Sequence, residues 1–269
     1  MKKVVYFGSI VAFVGLLMAC QRNAITGRKQ LSLVTESEAQ SLAAGQYQTF
    51  LNTNKVITGT ADATMVKRVG ERIVNAIKTY YQQKGLSNEL AGYTWEINLV
   101  SDKQMNAWCM PGGRIVVYTG ILPVTKNEAG LAVVMGHEIA HALARHGSER
   151  MSQALFQQGL GAGISIAMSS KPQLTQDIFN TSYGIVSGTV MPAFSRSNEL
   201  EADRFGLMFS ALAGYDPREA ILFWNRMSAA VGNNANTPSI LSTHPSDAER
   251  IAALEKIMAS TIQNYYKKS

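Results

Sequence analysis

The stretch VVMGHEIAHALARH, residues 133–146, holds three of the four histidines in the chain. Within it, His137, Glu138 and His141 form the pattern His-Glu-x-x-His. On a helix, four residues advance by roughly 400° and about 6 Å, so His137 and His141 share one face. Two imidazoles placed that way converge on one zinc ion at Zn–N of about 2.0–2.1 Å. Glu138 stands beside the first ligand. It can reach a water on the metal without binding the metal, which is the position of a general base for attack on a carbonyl. A surface histidine pair is the competing reading, and the neighbours argue against it. Val133, Val134, Met135, Ile139, Ala140 and Ala142 are apolar or small, which predicts a buried helix whose histidines need partners.

A catalytic zinc site has three protein ligands and one open position, so a third ligand must come from elsewhere. The stretch SRSNELEADRFG, residues 195–206, offers Glu199, Glu201 and Asp203 on one predicted helix. Glu199 and Asp203 are four apart and share a face, while Glu201 points roughly away. One of the pair can bind zinc, and the other can take the free N–H of a ligand histidine and fix its ring. The apolar run that follows, FGLMFSALAG, does not suit a solvated acidic face. His146 lies five residues past His141, around the helix from the metal face. It is expected to be a helix-end histidine favoured by the macrodipole.

These groups need a scaffold. Thr35 and Glu38 form a capping box for a helix to about Leu51, and a second helix covers about Asp62 to Lys84, ended by Gly85. Alternation in YTWEINLV predicts a strand, and NAWCM and RIVVY are two more, joined by Pro111, Gly112 and Gly113. Thr125 and Glu128 are expected to box the start of the zinc helix, which then runs to His146 and stops at Gly147. Weaker helices are expected at about 149–169 and 173–190, and the glycine-rich apolar stretches GLGAGISIAM and YGIVSGTVM within 148–195 are expected as a mobile cover over the cleft or as core. Further helices run from Arg196 to Ala213, from Asp216-Pro217 onward, and from a Ser246/Glu249 box. The fold class is α+β, a mostly helical domain with a small antiparallel sheet.

The N-terminus predicts export. Lys2 and Lys3 precede an apolar run from Val4 to Leu17, and the run ends in LMAC. LMAC resembles the bacterial lipobox, which implies a signal peptide over 1–19 and a lipidated Cys20; the other reading is an uncleaved membrane anchor, for which the apolar run is short. Residues 20–34 are then a tether and 35–269 a single domain. Gln21 in place of aspartate resembles the sorting pattern for the outer membrane, so the expected place is lipid-anchored there, facing the periplasm of a bacterial envelope. Cys109 is the one remaining thiol, which leaves no internal disulfide. The 269 residues carry 46% apolar and 16% charged residues, ample for a core and unlike a disordered chain. The net charge of +6 is scattered with no basic run, so no nucleic-acid partner is expected.

With the E-x-x-x-D spacing of Glu199 and Asp203 beside the histidine motif, the chain resembles peptidase family M48, the zinc peptidases that include HtpX and the CAAX prenyl proteases. TGRKQLSLVTESEA, NAWCMPGGRIVVYTGIL, GYDP and THPSDAERI also match its soluble lipoprotein branch. The resemblance implies a zincin-like fold and one zinc ion per chain. It implies His137, His141 and Glu199 as ligands, Glu138 as base and Asp203 behind a ligand. It places a histidine such as His244 near the metal in some members, as a removable fourth ligand or an oxyanion stabiliser. The other reading of His244 is a His-Pro that stiffens a loop. The transmembrane helices of HtpX are lacking, so misfolded or unassembled envelope proteins are the expected substrates. Zinc peptidases commonly hold substrate as an added strand. Ala107, Trp108, Cys109 and Met110, or the strand RIVV, are candidates for that edge, with an ordinary hairpin as the alternative. Cys109 is either a small buried residue or a thiol able to mask zinc. The alternative function is an envelope chaperone or assembly factor with little or self-inhibited proteolysis.

Overall fold

The computed structural model describes residues 20–157, 172–183, 193–232, 244 and 248–267. It opens on a hairpin, β1 (Cys20–Arg22) with β2 (Lys29–Leu31), followed by α1 (Glu36–Thr53). The Thr35–Glu38 capping box of α1 is present in both directions. Next come β3 (Val56–Ile57) and α2 (Ala61–Gln83), whose face of Val66, Val69, Ile73, Val74 and Ile77 is buried. The strands β4 (Glu96–Val100), β5 (Ala107–Met110) and β6 (Arg114–Tyr118) then lead into helices. These are a short α3 (Leu122–Thr125), α4 (Glu128–Leu143), α5 (His146–Leu155), α6 (Pro172–Tyr183), α7 (Arg196–Leu212), α8 (Glu219–Gly232) and α9 (Ala248–Tyr265). The architecture is α+β and mostly helical. Among the described residues, no helix is long and apolar enough to cross a membrane.

The larger sheet has the order β3-β4-β6-β5. Its β3–β4 and β5–β6 pairs are antiparallel, and β4–β6 is parallel. The β5–β6 turn uses Gly112 and Gly113 at φ 84° and 85°, two successive left-handed residues that a Cβ would strain. Period-two alternation sends the two faces of these strands into different cores. Ala107, Cys109, Ile115 and Val117 join α2, α4 and α7. Trp108, Met110, Val116 and Tyr118 join α1, α5 and α6.

Helix α4 is central. Every residue from Gly130 to Leu143 is buried, as an all-round apolar helix requires. Its start differs from expectation. Thr125 closes α3 by donating to Leu122 O, and the cap of α4 is Asn127, whose side chain accepts from Gly130 N at 2.8 Å. Its end differs too. The helix stops at Leu143, Arg145 turns the chain at φ 58°, and Gly147 lies inside α5. The carbonyls left open at the end of α4 are taken by the hairpin: Asn23 Nδ2 donates to Leu143 O at 3.0 Å and Gln30 Nε2 to Ala144 O at 3.1 Å. Both donors come from the stretch 20–34 that the sequence offers as a tether. Asn23 and Gln30 are buried there against the end of α4. The expected helices over 149–169 and 173–190 correspond to α5 and α6, with 158–171 and 184–192 outside the described residues. The signal segment 1–19 and Ser246 of the last capping box also lie outside them.

Candidate active site

Two helices build the site by crossing very closely. A Cβ on Gly206 of α7 would stand 2.7 Å from His137 N, and one on Gly136 of α4 would stand 2.7 Å from Gly206 O. Glycine at both positions brings the backbones together and sets Glu199 and Asp203 of α7 opposite His137 and His141 of α4. Ser210 ties the same crossing by donating to Ala132 O at 2.8 Å.

The structure brings His137, His141, Glu199 and His244 into one buried group whose nearest donor atoms all lie within 4.8 Å of one another. His137 Nε2 is 3.0 Å from His141 Nε2 and 3.2 Å from His244 Nδ1. Glu199 Oε2 is 3.4 Å from His137 Nε2, while its Oε1 is 3.5 Å from His141 Nε2 and 2.9 Å from His244 Nδ1. Tetrahedral donors at about 2.0–2.1 Å from a metal are separated by about 3.3–3.4 Å, and the observed spacings bracket that value. The charge fits as well. Three buried carboxylates, Glu138, Glu199 and Asp203, share the site with the buried guanidinium of Arg250. A divalent cation would balance this excess of negative charge, which is otherwise costly to bury.

The protonation pattern has the same origin. Burial pulls His137 down, but Asp203 and Glu199 outweigh it and hold the ring up at about 9. Glu199 is held well below the usual carboxylate range, against its burial, by His244 and His137. The field that retains a proton on His137 would equally retain a metal cation. Burial pushes His141 well below the ordinary histidine value, so its ring is neutral, the form that ligates. Glu138 is pushed up by burial, and its Oε1 makes no hydrogen bond among the described residues.

Asp203 Oδ1 lies 3.0 Å from His137 Nδ1, and both Asp203 oxygens are gripped by Arg250 at 2.6 and 2.7 Å. Arg250 also reaches Glu199 Oε2 at 2.9 Å and stacks 4.0 Å over Trp224. It stands within THPSDAERI, but nothing in its local spacing marked it for the site. Phe194 carries no such signal either. Its ring lies 4.2 Å from that of His141 and 5.3 Å from that of His244.

His146 departs from expectation. It begins α5 instead of ending α4, so the macrodipole there disfavours a charged ring, and burial lowers its pKa. Its Nδ1 meets His141 Nδ1 at 2.9 Å and its Nε2 meets Glu201 Oε2 at 2.8 Å. Glu201 does point away from the metal-type cluster. His244 is buried within the cluster, with Nε2 3.7 Å from Glu138 Oε1. Of the two candidate edge strands, β5 (Ala107 to Met110) ends the sheet and RIVV in β6 is internal. Cys109 is buried on the α4 side, and burial, with Glu138 adding to it, pushes its thiol well up. Cys20 is exposed at the start of β1.

The model of peptidase family M48 matches residues 61–258. Mitochondrial metalloendopeptidase OMA1 of Schizosaccharomyces pombe is 38% identical over 165 residues, 60% of this chain and 46% of that protein. The enzyme of the same name from Arabidopsis thaliana is 35% identical over 182 residues, 66% of this chain and 35% of that protein. The beta-barrel assembly-enhancing protease of Escherichia coli is 32% identical over 164 residues, 57% of this chain and 32% of that protein. The matched stretches thus span less than half the length of these three relatives. They also correct the expected placement at a bacterial outer membrane. The two mitochondrial enzymes match at higher identity and over more of this chain than the bacterial protease does.

Proposed function

This chain belongs to peptidase family M48, and from that membership we propose that it is a zinc-dependent endopeptidase acting on extended segments of misfolded or unassembled proteins. The observation that carries the reading is the buried convergence of His137, His141 and Glu199, with Glu138 buried beside them. These three residues would hold the metal, and two nitrogens and an oxygen at tetrahedral spacing suit zinc. When bound, the metal supplies Lewis acidity, polarising a peptide carbonyl and lowering the pKa of a water. Glu138 takes the proton of the attacking water at Oε1 and passes it to the leaving amine. Its burial favours holding that proton in transit. Asp203, steadied by Arg250, orients His137 through Nδ1. The substrate pairs as an added strand with β5, a reading supported by the edge position of β5 and its packing against α4.

The test is cleavage of an unfolded protein such as casein, with and without a chelator, by the wild type and by Glu138→Gln. The variant should keep its metal and lose activity by about 10²–10⁴-fold. Chelator-insensitive cleavage, or a variant as fast as the wild type, refutes the reading.

A second reading rests on His244. Its Nδ1 sits 2.9 Å from Glu199 and 3.2 Å from His137 Nε2, where a fourth ligand would stand. That arrangement supports a resting form in which His244 blocks the site, and with it a protein that holds clients more than it cuts them.

A further inference from the structure

The two histidines of α4 are braced by different means. His137 Nδ1 faces a carboxylate directly, that of Asp203. His141 Nδ1 meets an imidazole instead, His146 Nδ1 at 2.9 Å. From there the contacts run outward. His146 Nε2 reaches Glu201 Oε2 at 2.8 Å, and the same oxygen accepts from Arg28 Nε at 3.1 Å. Arg28 lies in the turn between β1 and β2 and also grips both oxygens of Glu149 at 2.6 and 2.7 Å.

The donors and acceptors can be assigned along this chain. For His141 to present a bare Nε2 to a metal, its proton must sit on Nδ1 and be donated onward. His146 Nδ1 must then accept, which leaves the His146 proton on Nε2, donated to Glu201. His146 is thus a neutral relay, the form favoured at the N-terminus of α5. The left-handed Arg145 makes the turn between the two helices that sets the His146 ring beside His141. The far end of the chain is anchored as well, because Asn23 and Gln30 of the same hairpin cap the end of α4.

We propose that Arg28, Glu201 and His146 act as a positioning chain that sets the tautomer and ring orientation of His141, making the N-terminal hairpin a working part of the metal site. The inference rests on the reading of His141 as a metal ligand. It extends the site by about two residue layers beyond the ligands, to a segment whose sequence reads as a tether.

The experiment is a zinc titration of the full chain, stripped of metal, in competition with a chromophoric chelator. The thermal midpoint of the metal-free protein is recorded alongside. His141→Ala checks the ligand reading and should abolish tight binding. His146→Leu keeps the volume but neither polar contact, and should weaken zinc binding about 10–100-fold, the usual cost of losing an outer partner. Glu201→Gln and Arg28→Met should weaken it in the same direction and by less. His146→Gln, which presents one acceptor and one donor, should recover most of the affinity. A merely structural role would lower the metal-free midpoint without this rescue. The proposal is overturned if wild type binds, His141→Ala does not, and His146→Leu and Glu201→Gln both stay within about twofold of wild type. If His146→Leu does not fold, Glu201→Gln and Arg28→Met decide the matter from the more exposed end. Failure of wild type to bind zinc, or equal binding by His141→Ala, sinks the ligand reading and this inference together.

Discussion

Gly206→Ala adds one methyl group at the crossing of α4 and α7, and the structure allows its effect to be worked out. The new Cβ would stand 2.7 Å from His137 N, 2.8 Å from His137 Cα and 2.9 Å from Gly136 C. All three are backbone atoms, so no side chain can swing aside. Ordinary contact begins near 3.4 Å, so the helices must part by about 0.7 Å at this point. Overpacking of this kind costs roughly 1–3 kcal/mol of stability. The larger effect is on the site. Glu199 belongs to α7 and His137 and His141 to α4, so the parting lengthens the 3.4 and 3.5 Å spacings between them. Well-formed metal sites keep ligand distances within about 0.2 Å of their standard values. Zinc affinity should therefore fall at least about tenfold, more than the stability loss alone predicts at temperatures where the metal-free protein is folded. Competitive zinc titration well below the thermal midpoint measures it, with Gly45→Ala, where no atom of the described residues lies within 4 Å of the new Cβ, as the control. Wild-type affinity and an unchanged midpoint in Gly206→Ala would refute the close-crossing argument.

Three further outcomes follow from the geometry. His244→Ala should raise casein cleavage if His244 blocks the metal, and lower it about 10²–10³-fold if it steadies the oxyanion; an unchanged rate with full zinc content defeats both roles. Arg250→Met removes the cation between Asp203 and Glu199 and should destabilise the metal-free protein by about 3–5 kcal/mol in urea unfolding, with a smaller loss once zinc is bound. Cys109 is buried with its thiol pushed well up, so at pH 8 a disulfide reagent should leave Cys109 unmodified in the folded protein and modify it in denaturant. Rapid modification of Cys109 in the folded state would contradict its placement.

Much of the candidate site is legible in local spacing. His137 and His141 four apart on an apolar stretch, and Glu199 and Asp203 four apart on another, are statements about a single helix each, and helical periodicity carries them without any tertiary information. The same holds for the capping box of α1, the end of α2 near Gly85 and the strand alternation from Glu96 to Tyr118. Local signals misled where two of them competed. Thr125 and Glu128 have capping-box spacing, yet Asn127 caps α4 because the preceding turn is closed as α3.

What spacing does not carry is the choice of partners between elements. Arg250 and Arg28 look like any other arginines in the chain, and only the folded arrangement sets one against Asp203 and the other against Glu149 and Glu201. The parallel pairing of β4 with β6 and the docking of the hairpin onto the end of α4 are likewise long-range matters. Gly136 and Gly206 are unremarked glycines until two helices are seen to touch through them. The residue types and their spacing along each helix determined which side chains can ligate a metal. The tertiary structure decided which of them meet, because helix-to-helix distance and the partners of buried charges depend on contacts across the chain, and no local period encodes those.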